Sequence, residues 1–189
     1  IDTALMKSVL HLDLEEMIAV VEPGLVNLDL STQIAKHGAH YAPDPSSQSV
    51  CTIGGNLAEN SGGPHCFKYG MTTDHILGAK IVLPNGEVAE LGGPSSPRPC
   101  GGLDLIGLFC GSEGTFGIAT EITVRLSPNP ESVVTLLASY KNMDSACGTV
   151  SDIVAAGLIP AALEILDDKT IQAIEASVFK AGYPTDAAA

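Results

Sequence analysis

Glycines interleaved with serine, threonine and asparagine dominate one stretch of the sequence, from residue 43 to residue 70. The stretch reads PDPSSQSVCTIGGNLAENSGGPHCFKYG and shows almost no periodic apolar pattern. Glycine lets the main chain adopt positive φ and approach a bound group, and successive N–H groups around glycines form concave nests that suit a pyrophosphate. We therefore interpret the stretch as a loop that cradles a ligand with its backbone. Disorder fits less well, because the stretch has no charge run.

A second glycine-rich turn, GSEGTFG, occupies residues 111–117 and runs directly into an alternating apolar segment. Neither region contains GxGxxG after a strand or the GxxxxGK(S/T) loop, so the two standard nucleotide fingerprints are not met. Taken singly, each glycine motif is more typical of a turn than of a site. Their occurrence together with Phe67, Tyr69 and Gly70 is what indicates a binding surface.

The charge balance excludes one class of partner and constrains how an anion would be held. The net charge is −13, and the nine lysines and arginines are scattered along the chain. Nucleic-acid binding needs a basic face, so we expect no nucleic-acid partner. An anionic ligand would have to be held by backbone N–H groups and helix N-termini. We also expect no transmembrane segment, because no apolar run is long enough to span a bilayer.

The cysteines and histidines do not form a metal-binding pattern. The five cysteines are widely spaced and include no CxxC pair, which is typical of reduced thiols in a cytosolic protein. A structural zinc site is the alternative interpretation. Gly38 breaks the helix that would align His37 with His40, so we predict no metal site in this chain. Asp167 and Asp168 are interpreted as a helix N-cap rather than as a catalytic pair.

The elements that must position these residues are predicted from periodicity and from breakers. Apolar or alternating runs predict strands at residues 17–21, 76–84, 88–91, 118–126, 133–140 and 161–166. Helical spacing predicts helices at residues 28–36, 103–109, 144–156 and 167–179. Asn27 or Asp29 would cap the first helix, and Asn85-Gly86 favours a type I′ hairpin. Two prolines at 128 and 130 predict a boundary before a second α/β unit.

Several motifs together resemble a known family. PDPSS, TIGGN, NSGGPHCFKYG, LPNGEV and GSEGTFGI occur in the order and spacing of the FAD-linked oxidases with the vanillyl-alcohol-oxidase-type flavin fold. The resemblance covers roughly Ile1 to Ala176. It is strongest to the branch that contains the FAD-binding polypeptide of bacterial glycolate oxidase and the D-lactate dehydrogenases.

The resemblance implies a mixed α+β fold in two domains. Residues 1–128 would form the C-terminal part, or second subdomain, of a PCMH-type FAD-binding domain. Residues 131–189 would form the truncated start of a ferredoxin-like α/β substrate domain. The family's first flavin loop would lie upstream of Ile1, and the substrate domain would continue past Ala189.

The resemblance also assigns FAD-binding residues by their place in the motifs. The segment under the adenosine and pyrophosphate corresponds to Pro43, Asp44, Ser46 and Ser47. The TIGG turn corresponds to Thr52, Gly54 and Gly55. The turn near the ribityl chain and the flavin ring corresponds to Asn60, Ser61, Gly62 and Gly63. The strand entry at the adenine end corresponds to Glu113, Gly114, Thr115, Gly117 and Ile118. Two further residues assigned to the cofactor are Tyr69 and Gly70.

The function implied by the resemblance is oxidation of a small 2-hydroxy acid, glycolate or D-lactate, by hydride transfer to FAD. Reduced flavin would pass its electrons to an iron–sulfur or other electron-accepting subunit, or to a quinone. The alternatives are a D-2-hydroxyglutarate dehydrogenase and a non-catalytic FAD-binding electron-transfer subunit. The protein would be cytoplasmic, with peripheral association to the inner membrane through a partner.

The catalytic base and the ligands of a divalent metal are expected past Ala189, so the fragment by itself would be inactive and would retain FAD weakly. His65 is the one candidate for proton transfer within this chain, because an imidazole near a flavin can donate a hydrogen bond or carry a proton. A structural, hydrogen-bonded histidine is the competing interpretation.

Overall fold

The computed structural model describes residues 1–93 and 102–189. The described chain divides into two compact units, Ile1–Pro130 and Glu131–Ala189, which are considered separately. Most of the loop expected at residues 92–102 lies outside the described residues.

The first unit is built on a five-stranded antiparallel sheet with the order β1-β2-β6-β4-β5. The strands of this sheet are β1 (Val9–Asp13), β2 (Ile18–Val21), β4 (Ile76–Val82), β5 (Val88–Gly92) and β6 (Ile118–Arg125). A separate two-stranded sheet pairs β3 (Ala39–His40) with β7 (Ser127–Pro128). The helices of this unit are α1 (Asn27–Ile34), α2 (Ile53–Glu59), α3 (Cys66–Tyr69), α4 (Thr72–His75) and α5 (Leu105–Phe109).

Strand β6 is the centre of the sheet and of the core. It is bonded to β2 on one side and to β4 on the other. Its residues Ile122 and Val124 are completely buried, as the alternation of apolar residues predicts for a strand that faces a core. Burial of each such aliphatic side chain stabilises the fold by roughly 1.5–3 kcal/mol.

Three helices of the first unit supply side chains to the same core. Buried pairs spaced three or four residues apart come from α1 (Leu30 and Ile34), α2 (Ile53 and Leu57) and α5 (Ile106 and Phe109). This spacing places each pair on one helical face. The core therefore joins the helices to the sheet and fixes where α2 lies.

The predicted strands and helices of the first unit are confirmed within a few residues at each end, with three corrections. The helix α1 begins after Val26, and neither Asn27 nor Asp29 caps it. The hairpin between β4 and β5 forms, but only Gly86 has a positive φ, so the turn is not type I′. Strand β1 was not predicted, although Leu10-His11-Leu12-Asp13 alternates apolar and polar residues, and none of its residues is fully buried.

The second unit contains two helices, α6 (Met143–Ala155) and α7 (Asp168–Ala176). Both agree with the predicted helices, and the Asp167 side chain caps α7 by accepting a hydrogen bond from the Thr170 N–H at 2.7 Å. The strands predicted at 133–140 and 161–166 are wrong for the described structure, because neither segment pairs with another strand. A strand cannot persist without a hydrogen-bonded neighbour, however good its apolar pattern.

Candidate functional site

Part of the glycine-rich stretch folds into the short helix α2, so the stretch is not a continuous loop. Helix α2 forms because Ile53 and Leu57, four residues apart, both enter the core. The Thr52 side chain caps it, accepting a hydrogen bond from the Gly55 N–H at 3.1 Å. Asn60 ends it in the left-handed conformation, with φ of 50°. The description of residues 43–70 as non-periodic was therefore wrong over this helix.

A cavity of about 360 Å³ brings the two glycine-rich regions together. One wall is α2 with its N-terminal turn, and the other is the turn that leads into β6. The predicted site residues that line it are Thr52, Gly54, Gly55, Gly114, Gly117 and Ile118. Residues 52–55 and 114–118 are separated by about 60 positions in the sequence, so the fold creates this surface from two distant segments.

The second turn is attached to the end of α2 by backbone hydrogen bonds. The N–H groups of Gly111 and Glu113 donate to the carbonyls of Leu57 and Ala58 at 2.8 and 2.9 Å. Glu113 adopts a positive φ of 53°, which bends the chain sharply at this attachment. The two walls of the cavity are thereby held at a fixed separation.

The amides at the N-terminus of α2 are not free to bind a pyrophosphate. The N–H of Ile53 donates to the Leu25 carbonyl, and that of Gly54 donates to the Pro23 carbonyl, both at 2.8 Å. The Gly55 N–H is taken by the Thr52 cap. A Cβ at position 54 would lie 2.6 Å from the Pro23 Cβ, so this glycine allows the chain to pack against itself. These three amides therefore do not form an anion-binding nest.

A different group offers an unused hydrogen bond to the cavity. The Oγ atom of Ser112 is buried and has no partner among the described residues, and Ser112 lines the cavity. A buried hydroxyl without a partner is costly, and a bound polar ligand would satisfy it. A cavity with a glycine-rich wall and one unsatisfied hydroxyl fits a cofactor such as FAD.

The NSGG turn follows α2 and does not line the cavity. It is packed tightly against its own chain: a Cβ on Gly62 would lie 2.9 Å from the Cys66 sulfur. A Cβ on Gly63 would lie 2.6 Å from the Asp44 carboxylate and would collide with the Asp44 carbonyl. The hydroxyl of Thr72 also donates to the Ser61 carbonyl at 2.8 Å. The turn is therefore rigidly placed by its neighbours.

Asp44 lies beside this turn and contacts a histidine. Its Oδ2 atom is 2.6 Å from Nδ1 of His65, while its Oδ1 is buried without a partner among the described residues. The carbonyl of Pro43 accepts a hydrogen bond from the fully buried Asn27 side chain at 2.9 Å. The two halves of the glycine-rich stretch are joined through this carboxylate–imidazole pair.

The remaining predicted residues occupy more peripheral places. Ser46 and Ser47 lie in the turn before α2, and Thr115 is exposed in the second turn. Tyr69 packs its ring against the edge of His40, with 5.9 Å between ring centres. Gly70 has a positive φ of 83°, which ends α3. The assignment of all these residues to FAD contacts stays a prediction.

A further histidine, His75, is buried next to Tyr69. Its Nε2 atom is 2.8 Å from the Tyr69 carbonyl, and its ring meets the edge of the Tyr41 ring at 6.1 Å between centres. Burial lowers the pKa of His75 below its ordinary value, despite the opposing effect of the Tyr69 carbonyl. This imidazole is therefore neutral near pH 7 and is structural.

The described cysteines and acidic residues form no metal centre. No disulfide joins any two of Cys51, Cys66, Cys110 and Cys147. In residues 1–93 and 102–189, no three His, Cys, Asp or Glu side chains gather as metal ligands would. No helix in the described ranges has the length and hydropathy needed to cross a bilayer.

Sequence reasoning missed two residues of this site. Ser112 belongs to a glycine-rich turn and had no signal of its own, because only the fold reveals that its hydroxyl is buried. Asn27 was considered only as a helix cap, whereas its amide holds the segment that carries Asp44. A buried asparagine can be recognised only after the tertiary structure is known.

Comparison with known proteins identifies this architecture. The family model described as "FAD binding domain" matches residues 1–92, and the one described as "FAD linked oxidases, C-terminal domain" matches residues 129–189. The chain belongs to the FAD-linked oxidases. The cofactor of this family is FAD, in agreement with the cavity and with the resemblance seen in the motifs.

Several family members are similar along almost the whole chain. Glycolate oxidase subunit GlcD of Bacillus subtilis is 48% identical over 184 residues, which are 97% of this chain and 39% of that protein. D-lactate dehydrogenase of Anaerostipes hadrus is 36% identical over 181 residues, 96% of this chain and 38% of that protein. A solved structure of alkyldihydroxyacetonephosphate synthase matches with a TM-score of 0.75 and 28% identity, covering 89% of this chain and 30% of that one. The chain thus spans about two fifths of the length of these curated relatives.

Proposed function

We propose that this chain is the flavin-holding part of a FAD-dependent enzyme that oxidises a small 2-hydroxy acid, glycolate or D-lactate. The observation that carries the proposal is the 48% identity to a glycolate oxidase subunit, which extends over 97% of the chain. The relatives named D-lactate dehydrogenase support the same substrate class, because both names denote 2-hydroxy acids.

The residues of the cavity would bind and orient the cofactor. Thr52 and Ser112 offer hydroxyl groups, while Gly114 leaves room for a ligand against the second turn. Bound FAD would supply the hydride-accepting chemistry. The protein would contribute position and exclusion of water, and the fixed distance between α2 and the second turn suits that purpose.

The same proposal includes the surroundings of the enzyme. Because a similar relative is named as a subunit, we infer that electrons leave the flavin for an iron–sulfur or other electron-accepting subunit. The protein would work in the cytoplasm, with peripheral attachment to the inner membrane through that partner. Residues that hold the substrate carboxylate, and histidines for a divalent metal, would lie in the part of the relatives that this chain does not span.

The test uses the full-length parent protein. After purification, its visible spectrum is recorded without oxygen, and glycolate, D-lactate and D-2-hydroxyglutarate are added in separate samples. We expect the flavin bands to bleach with glycolate or with D-lactate. L-lactate is the stereochemical control for D-lactate and should leave the bands unchanged. Bleaching by D-2-hydroxyglutarate alone would show that this acid, and not glycolate or D-lactate, is the substrate. Flavin that no hydroxy acid bleaches would favour an electron-transfer subunit, and a colourless protein that takes up no FAD would defeat the proposal.

A further inference from the structure

We propose that Asn60 is a positioning residue of the cofactor site. Its side chain ties the end of α2 to α4 and to the residue that precedes the second glycine-rich turn, and this tie holds the two walls of the cavity at one separation. The inference rests on the proposed function, in which FAD binds between these walls. The motif resemblance gives Asn60 a different task, direct contact with the cofactor near the ribityl chain, and the two tasks predict different results.

The backbone of Asn60 ends α2 at the point where the second turn is attached. Asn60 is in the left-handed conformation, with φ of 50° and ψ of 52°, which asparagine adopts more readily than most residues. Its N–H lies 3.5 Å from the Leu57 carbonyl oxygen. The same carbonyl accepts a hydrogen bond from the Gly111 N–H at 2.8 Å. The end of the helix and the start of the second turn therefore share one acceptor.

The side-chain oxygen of Asn60 contacts two further segments. Its Oδ1 atom accepts a hydrogen bond from the Thr73 N–H at 2.9 Å, and Thr73 belongs to the first turn of α4. This bond satisfies an amide that has no partner within its own helix. The same oxygen lies 3.6 Å from Sγ of Cys110, whose thiol donates to it at the end of α5. One side chain thus joins the end of α2 to α4 and to the end of α5.

The start of the second turn also packs against this side chain. A Cβ on Gly111 would lie 3.4 Å from the Cβ of Asn60, which is van der Waals contact. Removal of the Asn60 side chain would open this contact and break both hydrogen bonds of Oδ1. The second turn would keep its backbone hydrogen bonds to the carbonyls of α2 but would lose the support at its first residue.

The groups that Asn60 contacts are adjacent to the lining of the cavity. Cys110 follows Phe109 and precedes Ser112 by two positions, and both of these neighbours line the cavity. On the opposite wall, Ala58 lines the cavity two positions before Asn60. Asn60 itself lies outside the lining that the described residues form. Its side chain would therefore act on a bound ligand through the two walls and not by touching it.

A tie of this kind favours binding because it orders the site in advance. When the walls of a site are already fixed, less conformational entropy is lost on association, and the affinity is higher. Without the tie, the second turn could move relative to α2 in the absence of the cofactor. FAD would then have to order the turn on binding, and its dissociation constant would rise.

The test uses the full-length parent protein, prepared without flavin and titrated with FAD. Asn60→Gly removes the side chain but keeps the left-handed backbone, which glycine adopts without strain. Asn60→Asp keeps an oxygen that can accept from both donors, the Thr73 N–H and the Cys110 thiol. Asn85→Gly is the matched control, because Oδ1 of Asn85 also accepts a backbone N–H, that of Glu87 at 3.0 Å, in the hairpin between β4 and β5.

Two measurements are made on each variant. We expect Asn60→Gly to raise the FAD dissociation constant by about 10-fold, as measured by quenching of flavin fluorescence. Asn60→Asp and Asn85→Gly should stay within about threefold of the wild type. In the flavin-free protein, hydrogen exchange at the Gly111 and Glu113 amides should be about 10-fold faster in Asn60→Gly. This acceleration should exceed any at the amides of the central strand β6, and it should be absent in Asn85→Gly.

The outcomes separate positioning from direct contact and from the proposed function. Weaker FAD binding with unchanged exchange at Gly111 and Glu113 would show that Asn60 contacts the cofactor directly, and would overturn the positioning role. Faster exchange with unchanged FAD affinity would overturn it as well, because the tie would not serve the cofactor. So would an Asn60→Asp variant that binds FAD as weakly as Asn60→Gly. In all three cases the wild type still binds FAD, whereas a wild type that binds none would defeat the proposed function and this inference with it.

Discussion

The two units of this chain contrast in how completely they bury their apolar residues. In the first, β6 and its neighbours are covered by helices, and Ile122 and Val124 are inaccessible to solvent. In the second, the buried apolar residues are Ala146, Ile171 and Ala187. The apolar segment at 133–137 has instead four large side chains that are 66–88% exposed. The same kind of apolar pattern is therefore a core strand in one unit and an unpaired extended segment in the other.

This difference teaches that an apolar pattern specifies a strand only when its partners are present. Strand β6 has hydrogen-bonded neighbours on both sides within its own unit. Residues 133–140 pair with no other strand among the described residues. We expect those partners in the part of the relatives that this chain does not span. The cavity between α2 and the second glycine-rich turn, by contrast, has two walls that the first unit builds by itself.

The largest effect should come from truncating a buried side chain in the first unit. Ile122→Ala removes a fully buried side chain from the central strand, and we expect a loss of about 3–4 kcal/mol in the free energy of unfolding. Leu136→Ala, at a side chain that is 88% exposed, should change it by less than about 0.5 kcal/mol in the 189-residue chain. Denaturant titration followed by circular dichroism measures both.

The same leucine variant also tests the explanation of the contrast. In the full-length parent protein, Leu136→Ala should cost about 2 kcal/mol or more, because the partner strands would bury this side chain. An equally small effect in both proteins would show that residues 133–140 are not a core strand of the second unit.

Two glycine-to-alanine variants, one in each unit, should change stability by intermediate amounts and in opposite directions. Gly54→Ala would place a Cβ 2.6 Å from the Pro23 side chain, so we expect a loss of about 1–3 kcal/mol. Gly148→Ala lies inside α6 with no atom near the new Cβ, and alanine should stabilise this helix by about 0.5–1 kcal/mol. A tolerated alanine at position 54 would contradict the packing role assigned to this glycine. Thermal unfolding of the 189-residue chain, followed by circular dichroism, compares both variants.

Helix α2 itself should be weakened modestly by loss of its cap. Thr52→Ala removes the hydroxyl that accepts from the Gly55 N–H, and the expected cost is about 1 kcal/mol. Thr52→Ser, which keeps that acceptor, is the matched control and should restore most of the stability. Hydrogen exchange at the Gly55 amide measures the effect locally, and equal exchange in the two variants would argue against capping by this side chain.

How far the sequence predicts this molecule depends on how local each signal is. Strands β2 and β4 were predictable from their apolar runs, β6 from its alternation, and helices α1 and α6 from apolar residues at helical spacing. Helix α2 was not, because Gly54 and Gly55 disfavour a helix and only the core makes Ile53 and Leu57 decisive. The motifs identified the family and predicted FAD. The contact between Asp44 and His65, which are 21 residues apart, exists only in the folded chain.

The smallest effect concerns how the free energy of unfolding depends on pH. Any contribution of histidine to this dependence comes from the first unit. All five histidines precede Pro130, and His75 is buried there beside Tyr41, Asp74 and Arg125. Burial lowers its pKa from the ordinary 6.5, so the unfolded chain binds a proton at this residue before the folded one does. The contribution of neutral His75 is therefore fully present above pH 6.5 and is lost as the pH falls below that value toward its folded pKa. We expect His75→Gln, whose amide can still donate to the Tyr69 carbonyl, to lose less stability than the wild type as the pH falls from neutrality to about 5. The test is the free energy of unfolding measured across this pH range, with His37→Asn as the exposed control. Parallel curves of this free energy against pH for the wild type and His75→Gln would show that His75 does not couple protonation to folding.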